Sequence, residues 1–181
     1  ELALPLLYRL PGKTPPVPFV EDIAAPVQHL GELLHRTQEL LRRHQLTASF
    51  LVHAGAGQVH VRPFLDIREP GAAGKLRLLA DDLYRQVLDL GGTISTQHGV
   101  GLARTPWVAQ QYGRLYQVFR DIKAIFDPNN LFNPGKIVNL ATTPSGAPAP
   151  FQLEQLLRRA PASPPSASPW LLSWQAGELE S

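Results

Sequence analysis

Two proline-rich stretches near the C-terminus set the strongest limit on where this chain can pack into a core. Residues 141–150 (ATTPSGAPAP) and 160–169 (APASPPSASP) hold seven prolines among alanines and serines. Because proline fixes its own φ angle and has no amide hydrogen to donate, such stretches form extended linkers. We therefore predict a folded domain over residues 1–140. The remainder, 141–181, is predicted to be a linker with one short helix at 151–159. A linker of this kind can lead to a further domain.

Apolar residues before the linker repeat with the periods of helices and strands. Three- and four-residue spacings of leucine and valine indicate amphipathic helices, and short runs rich in β-branched and aromatic residues indicate strands. The predicted helices are 27–44, 69–90 and 108–126, the last broken near Gly113, and the predicted strands are 48–53, 59–65 and 93–95. The first two strands flank the glycine-bearing turn AGAGQ and are predicted to form a β-hairpin. The expected fold class is α+β, an antiparallel sheet with helices packed on one face.

The composition of the 181 residues excludes several kinds of protein. Without cysteine, the chain itself cannot supply disulfides, thiolate metal sites, iron–sulfur ligation or a cysteine nucleophile. Its formal charge is only +2, and the scattered basic residues form no stripe for nucleic acid. No apolar run approaches the roughly 20 residues that span a bilayer, and no signal peptide opens the chain, so we expect a cytoplasmic protein or one at the inner face of the membrane. The absence of methionine and the start at Glu1 predict a piece of a longer protein.

Two of the six histidines, His53 and His60, lie at the ends of the predicted hairpin strands. If four residues close the turn, these two face each other with Cβ atoms about 4.5–5.5 Å apart. Two imidazoles at that distance can share one metal ion. In the alternative they are unrelated polar residues at a sheet end. A register shift of one residue would place them on opposite faces of the sheet.

A third histidine, His98, lies in the glycine-flanked loop QHGVG that follows the predicted strand at 93–95. Glycines let a loop approach a ligand closely, and a neutral imidazole can act as a general base. The alternative is a loop histidine without a chemical role. His29, His35 and His44 lie on the first predicted helix, where we expect them to face solvent.

Four segments resemble motifs of the FAD-linked oxidases of the vanillyl-alcohol-oxidase type, and they occur in the order of that family. GGTISTQHGVGLAR, residues 91–104, is similar to the family's GGxxxxEHGxG, and HAGAGQVH, residues 53–60, to its HxGDGNxH. PFVEDIAAPVQHL (18–30) and FDPNNLFNPGKIV (126–138) resemble two further segments. The resemblance is to the branch of D-lactate dehydrogenase, glycolate oxidase and D-2-hydroxyglutarate dehydrogenase. The run HVRPFLD (60–66) is most similar to large members that are fused to an iron–sulfur region.

The resemblance covers about residues 1–140 and implies the C-terminal cap of a flavoenzyme, the part that covers the substrate. In the family the N-terminal half binds FAD, and the whole enzyme oxidises a small D-2-hydroxy acid such as lactate, glycolate or 2-hydroxyglutarate by base-assisted hydride transfer. The implied partners are the FAD-binding domain of the parent chain, the hydroxy acid, and an iron–sulfur electron-transfer region outside this chain. This chain alone is then expected to be inactive. The alternative is a degenerate, non-catalytic cap that acts as a structural or partner-binding module.

The resemblance also implies a divalent metal, such as zinc or manganese, bound by His53, His60 and Gln97. Gln97 occupies the position at which the family has glutamate, and a neutral amide is the poorer ligand because it supplies no charge. Ala56 and Gln58 stand where the family motif has aspartate and asparagine, so any support of a ligand by that aspartate is lost. In related enzymes the metal orients the substrate hydroxyl and lowers its pKa.

Three further residues receive roles from the resemblance or from their spacing. His98 would be the base that takes the hydroxyl proton, and Asn133, in LFNPGK, would approach the flavin. Arg62 lies two residues after His60, and therefore on the same strand face, which makes it a candidate for binding the substrate carboxylate. Arg9 is a second candidate. The alternative for Arg62 is a surface arginine.

Overall fold

The computed structural model describes residues 14–140, so Arg9 and the predicted linker with its candidate helix lie outside the described residues. The elements are, in order, β1 (Ile23–Ala24), a 3₁₀ turn (Val27–His29), α1 (Leu30–Arg43), β2 (Ala48–His53), a second 3₁₀ turn (Ala54–Ala56), β3 (Gln58–Pro63), α2 (Ala72–Asp89), α3 (Thr105–Tyr112) and α4 (Leu115–Phe126). Each helix predicted within residues 14–140 is confirmed, with ends that differ by a few residues.

The three strands form one antiparallel sheet in the order β1-β3-β2, with β3 at its centre. All six residues of β3 are buried, as expected for a strand with a neighbour on each side. Leucines of both long helices, including Leu33 and Leu76, join Val59 and Val61 of β3 in one apolar core. The α+β class with an antiparallel sheet is therefore confirmed.

α1 and α2 each bury one stripe of their surface, as the leucine spacing predicts. The buried positions of α2 include Leu76, Leu79, Ala80, Leu83, Tyr84 and Val87. The hydroxyl of Tyr84 donates to the backbone carbonyl of Phe19 at 3.2 Å, so it keeps a partner inside the core. Gly91, in the left-handed conformation at φ +70°, follows the last turn of α2, as a C-terminal glycine should.

The hairpin register differs from the predicted one. His53 pairs with Gln58 and Leu51 with His60, so the predicted direct opposition of His53 and His60 is wrong. The reason is the turn, which begins immediately after His53 with a 3₁₀ segment and ends at Gly57. Gly57 has φ +65°, and a Cβ there would lie 2.0 Å from the carbonyl oxygen of Ala25. The pairing moves by two residues, which keeps both histidines on one face of the sheet.

The predicted strand at 93–95 is reduced to a single bridge. Thr93 and Ala24 exchange two backbone hydrogen bonds of 2.8 and 3.0 Å, and the pairing goes no further. Gly92 allows this close approach, because a Cβ on it would lie 2.2 Å from the carbonyl oxygen of Ala24. The bridge brings the loop of His98 to the edge of β1.

The C-terminal helices pack differently from α1 and α2. Gly113, at φ +52°, separates α3 from α4 and confirms the predicted break. α3 buries Trp107 and Val108, whereas α4 has no buried residue. We call the exposed apolar side chains of α4 and the turn after it the open stripe; they are Leu115, Val118, Ile122, Ile125, Phe126, Leu131 and Phe132.

Within residues 14–140, no helix has both the length and the apolar character needed to cross a membrane.

Candidate active site

The loop that carries His98 is wrapped around one carboxylate, that of Asp22. Three consecutive backbone N–H groups, those of Thr96, Gln97 and His98, donate to its oxygens at 2.9, 2.9 and 3.0 Å. The hydroxyl of Ser95 adds a bond of 3.1 Å, and that of Thr96 donates as well. Asp22 has no solvent exposure and lies at φ +67°, a conformation that few non-glycine residues adopt. Asp22 therefore holds the loop through backbone N–H groups and the hydroxyls of Ser95 and Thr96, and none of these bonds uses the side chain of residue 97 or 98.

The charge of Asp22 is maintained by these bonds. Burial by itself would raise the pKa of Asp22, because the carboxylate loses its hydration. The hydrogen bonds from the loop, led by that of the Thr96 hydroxyl, outweigh this effect and hold the pKa of Asp22 well below its usual range. The buried Arg104 adds a cation, since its Nη1 lies 3.5 Å from Asp22 and donates to the backbone carbonyl of Glu21 at 2.6 Å.

Three imidazoles lie in a row, and we call His53, His60 and His98 the histidine cluster. The ring centroids of His53 and His60 are 5.4 Å apart, and those of His60 and His98 are 5.0 Å apart with the rings stacked. His60 is buried, and its Nδ1 has no hydrogen-bond partner among the described residues. Burial, followed by the neighbouring His98, lowers the pKa of His60 more than Glu21 and Asp22 raise it. The neutral His60 ring therefore keeps a nitrogen lone pair at pH 7.

Glu21 joins two of the predicted site residues. Its Oε1 accepts a hydrogen bond from Nδ1 of His98 at 3.1 Å. Its Oε2 accepts a hydrogen bond from Nε of Arg62 at 3.0 Å, and Nη2 of Arg62 lies 2.9 Å from the same oxygen in an ion pair. Both members of this ion pair are buried, so the interpretation of Arg62 as a surface arginine is wrong.

The donor atoms of this region suit the divalent metal that the resemblance implies. Glu21, His60 and His98 each offer one ligand atom, and these atoms lie within 4.8 Å of one another. The Nδ1 of His60 is a buried polar atom that still lacks a partner among the described residues. Imidazole nitrogens and carboxylate oxygens are ligands that zinc binds, so the residues present fit such an ion.

Two predicted site residues lie apart from these contacts. Gln97 is exposed, and it is the backbone N–H of this residue that bonds to Asp22. Asn133 lies in the turn after α4, exposed and at φ +48°, and its Oδ1 accepts a hydrogen bond from Nζ of Lys136 at 3.0 Å. The structure thus brings Arg62 and the histidine cluster together, whereas Asn133 follows the open stripe.

Sequence reasoning missed the residues that hold the site in place, Glu21, Asp22 and Arg104. A signal was available in FVEDIAA, where an acidic pair is enclosed by apolar residues. Carboxylates are rarely buried without partners, so an acidic pair in an apolar run predicts cations or N–H donors elsewhere in the chain. Gln58, first noted only as a departure from the family motif, donates from Nε2 to Asp22 at 3.0 Å and to the hydroxyl of Thr96 at 2.5 Å.

Together, the fold and the site define an α+β domain in which a row of imidazoles lies beside a buried ion pair. The sequence identifies the family more narrowly. Residues 1–137 match the family described as FAD linked oxidases, C-terminal domain. This match covers most of the chain, and the chain belongs to that family.

Curated proteins with similar sequences fall in the expected branch. The chain is 36% identical to D-2-hydroxyglutarate dehydrogenase of Pseudomonas putida over 132 residues, 73% of this chain and 13% of that protein. D-2-hydroxyglutarate dehydrogenase of Escherichia coli is 34% identical over 158 residues, 87% of this chain and 15% of that protein. Glycolate oxidase subunit GlcD of Bacillus subtilis is 27% identical over 123 residues, 67% of this chain and 26% of that protein. The chain thus spans 13% to 26% of the length of these relatives.

Proposed function

We propose that this chain is the substrate-covering part of an FAD-dependent oxidoreductase that oxidises a small D-2-hydroxy acid of the lactate, glycolate or 2-hydroxyglutarate type. The observation that carries the proposal is the Glu21–Arg62 ion pair in direct contact with His98. A 2-hydroxy acid presents a carboxylate next to a hydroxyl, and this arrangement offers a cation and a base next to each other. The names of two relatives, D-2-hydroxyglutarate dehydrogenase and glycolate oxidase subunit GlcD, support this substrate class.

In the proposed reaction, residues of this chain orient the substrate and move one proton. Glu21 accepts a hydrogen bond from Nε of Arg62 and lies 2.9 Å from its Nη2, and we assign the other N–H groups of this guanidinium to the substrate carboxylate. His98 takes the hydroxyl proton. FAD, held mainly by a domain outside this chain, would supply the acceptor for the hydride of C2, and the product would be a 2-oxo acid. Iron–sulfur centres, also outside this chain, are the proposed electron acceptor.

A divalent metal, zinc or manganese, would be held by His53 and His60, and Gln97, the third ligand that the resemblance implies, would have to turn its exposed side chain toward them. When bound, it would orient the substrate hydroxyl and make its proton easier to remove. Gln97 supplies no charge to such an ion. The carboxylate of Glu21 lies within 4.8 Å of the ligand atoms of His60 and His98, so we assign to Glu21 the negative charge that the family places at residue 97.

We assign the open stripe to contact with the FAD-binding domain. Its seven large apolar side chains are exposed on one helix and the turn after it, and a concentration of exposed apolar residues of this kind is typical of an interface. Asn133, the residue expected to approach the flavin, follows Phe132 of the open stripe directly. The chain spans 13% of the Pseudomonas putida relative, which leaves ample length in that protein for such a domain.

A second candidate function is a non-catalytic cap that serves as a structural or partner-binding module. The observation that favours it is Gln97, an exposed neutral residue at the position where the family has its acidic metal ligand. A protein of this kind would keep the open stripe and its partner while the chemistry at the histidine cluster is lost.

The full-length protein separates the two candidates. We expect it to show flavin absorbance, and we expect D-lactate, glycolate or D-2-hydroxyglutarate to bleach the flavin under anaerobic conditions. The His98→Gln variant should bleach about 10²–10⁴-fold more slowly, since a general base supplies a factor of that size. His35→Gln is the matched control, because His35 is exposed on α1, and it should bleach at the normal rate.

Two outcomes would count against the proposal in different ways. A full-length protein that binds no flavin contradicts the assignment to a flavoenzyme. A protein that binds flavin but is bleached by none of the three acids supports the non-catalytic cap instead.

A further inference from the structure

We propose that Glu21 is the positioning residue of the site, and that it fixes both the orientation of His98 and the spacing between His98 and Arg62. This inference rests on the proposed function, because it assigns the base to His98 and the carboxylate contact to Arg62. Glu21 received no role from the sequence motifs. Its role follows from its contacts, its burial and the chemistry of its two partners.

The contact with His98 determines which ring nitrogen is available as a base. An ionised carboxylate only accepts hydrogen bonds, so the contact of 3.1 Å between Oε1 and Nδ1 requires that Nδ1 carries the proton. The lone pair of the neutral ring is then on Nε2. The stacked ring of His60, 5.0 Å away between centroids, restricts rotation of the His98 ring. Glu21 therefore presents Nε2 to a substrate and holds the ring in one orientation.

The contact with Arg62 determines where the substrate carboxylate binds. Nε of the guanidinium donates to Oε2 of Glu21 at 3.0 Å, and Nη2 lies 2.9 Å from the same oxygen. A guanidinium is planar and rigid, so fixing the positions of these two nitrogens fixes the direction of the remaining N–H groups. The hydroxyl and the carboxylate of a 2-hydroxy acid are on adjacent carbons, and their separation does not vary much. Because one carboxylate bonds to both partners, it sets the separation between Nε2 of His98 and Arg62, and we assign this separation to the hydroxyl and the carboxylate of the substrate.

The position of Glu21 is itself tightly restrained. Its residue is 8% exposed, and its backbone carbonyl accepts a hydrogen bond of 2.6 Å from Nη1 of Arg104. The next residue, Asp22, accepts a hydrogen bond from the backbone N–H of His98 at 3.0 Å. Ring and backbone of His98 are therefore both attached to the same pair of acidic residues. When the proton arrives at Nε2, the carboxylate of Glu21 also stabilises the imidazolium that results.

The kinetic test uses single-turnover reduction of the flavin in the full-length protein. Glu21→Gln keeps an oxygen that can accept from Nδ1 but removes the charge, and Glu21→Ala removes both. We expect the reduction rate to fall roughly 10-fold in Glu21→Gln and roughly 10²-fold in Glu21→Ala, within the range of general-base effects. Glu32→Gln is the matched control, since Glu32 also contacts a histidine and an arginine, His29 and Arg36, but on the exposed surface of α1. It should leave the rate unchanged.

The spectroscopic test reads the orientation of the ring and needs no flavin. Nitrogen-15 NMR of the 181-residue chain at about pH 8.5, where imidazole is ordinarily neutral, distinguishes a protonated Nδ1 from a protonated Nε2. We expect the Nδ1–H form for His98 in the parent sequence and a mixture of both forms in Glu21→Ala. If Glu21→Ala fails to fold because Arg62 has lost its partner, the Glu21→Gln/Arg62→Met variant removes both charges and allows the same measurement.

The outcomes remain separable from those of the proposed function. An Nδ1–H form that persists in Glu21→Ala, or a flavin reduction rate that does not change in that variant, would overturn the positioning role. A full-length protein without flavin would end the proposed reaction, yet the nitrogen-15 spectra would still decide whether Glu21 orients His98.

Discussion

The two halves of the described structure differ in how far their apolar side chains are buried. In the half formed by the sheet, α1 and α2, side chains such as Leu33, Leu76 and Val61 are fully buried. In α4 no residue is buried, and Phe126 is 81% exposed. The first half therefore buries its apolar side chains against its own elements and Trp107 of α3, whereas the apolar face of α4 meets no cover within residues 14–140. The histidine cluster lies on the sheet and on the loop after α2, and its ring contacts and the hydrogen bond to Glu21 involve no residue of α4.

The largest expected effect compares the two halves directly. Leu76→Ala removes a fully buried side chain, and we expect it to lower the free energy of unfolding by about 2–5 kcal/mol. Ile122→Ala changes a half-exposed side chain, and we expect a change below about 0.5 kcal/mol. Urea unfolding of the 181-residue chain, followed by circular dichroism, measures both. A loss in Ile122→Ala as large as that in Leu76→Ala would show that α4 is covered by this chain itself.

The second comparison is between two turns, one in each half, and in each turn the carboxylate of a different aspartate accepts backbone N–H groups. Asp127 accepts the backbone N–H groups of Leu131 and Phe132 at 2.8 and 2.9 Å, much as Asp22 accepts those of the His98 loop. Asp22→Asn points an amide NH₂ group at buried donors, and we expect a loss of roughly 3 kcal/mol in the free energy of unfolding. Asp127→Asn should cost less, because its turn lies at the surface of the half that lacks a complete core. Chemical unfolding of the two variants ranks them, and an equal loss in both would remove the distinction.

The smallest expected effect is the response of these two turns to acid. The hydrogen bond from the Lys123 side chain lowers the pKa of Asp127, burial opposes it, and the backbone N–H groups of the turn lower the pKa further. The pKa of Asp22 is also lowered by its hydrogen bonds, against burial. A pKa that is lower in the folded state gives stability that is complete above the unfolded value, about 3.9, and is lost as the pH falls through the folded value.

Both turns should therefore stay closed at neutral and mildly acidic pH and open only below about pH 4. The turn of Asp127 should open at the higher pH, since Asp22 accepts more hydrogen bonds. Amide exchange at Thr96 and His98, and at Leu131 and Phe132, measured by NMR from about pH 6 down to about pH 3 and corrected for intrinsic rates, follows the two turns separately. Protection lost already above about pH 5 in either turn would contradict the expectation.

Regular elements were predictable because each depends on a local pattern. The leucine spacing of 27–44 and 69–90 predicts α1 and α2, and Gly113 marks the break between α3 and α4. The hairpin exists as predicted, but its register did not follow from the strands alone. It depends on the conformation of the turn at Gly57, which is fixed by contact with Ala25, a residue more than thirty positions away in the sequence.

The site was predictable only where a motif names the residue. His53, His60, His98 and Arg62 were recognised, and the structure brings them together. Glu21 was not, because its role arises from partners 41 and 77 positions further along the chain. Such a contact depends on how the sheet edge and the loop meet, and no local spacing encodes it.

The loop of His98 is held through its backbone, so the side chain at residue 97 can be substituted during evolution. Asp22 bonds to the N–H of residue 97, a group that every amino acid except proline carries. The side chain at 97 is therefore free to vary while the imidazole beside it stays in position. Glutamine and glutamate codons differ by one nucleotide, so a single mutation would place at residue 97 the carboxylate that the family motif has there, and the reverse mutation would remove it, without rebuilding the loop.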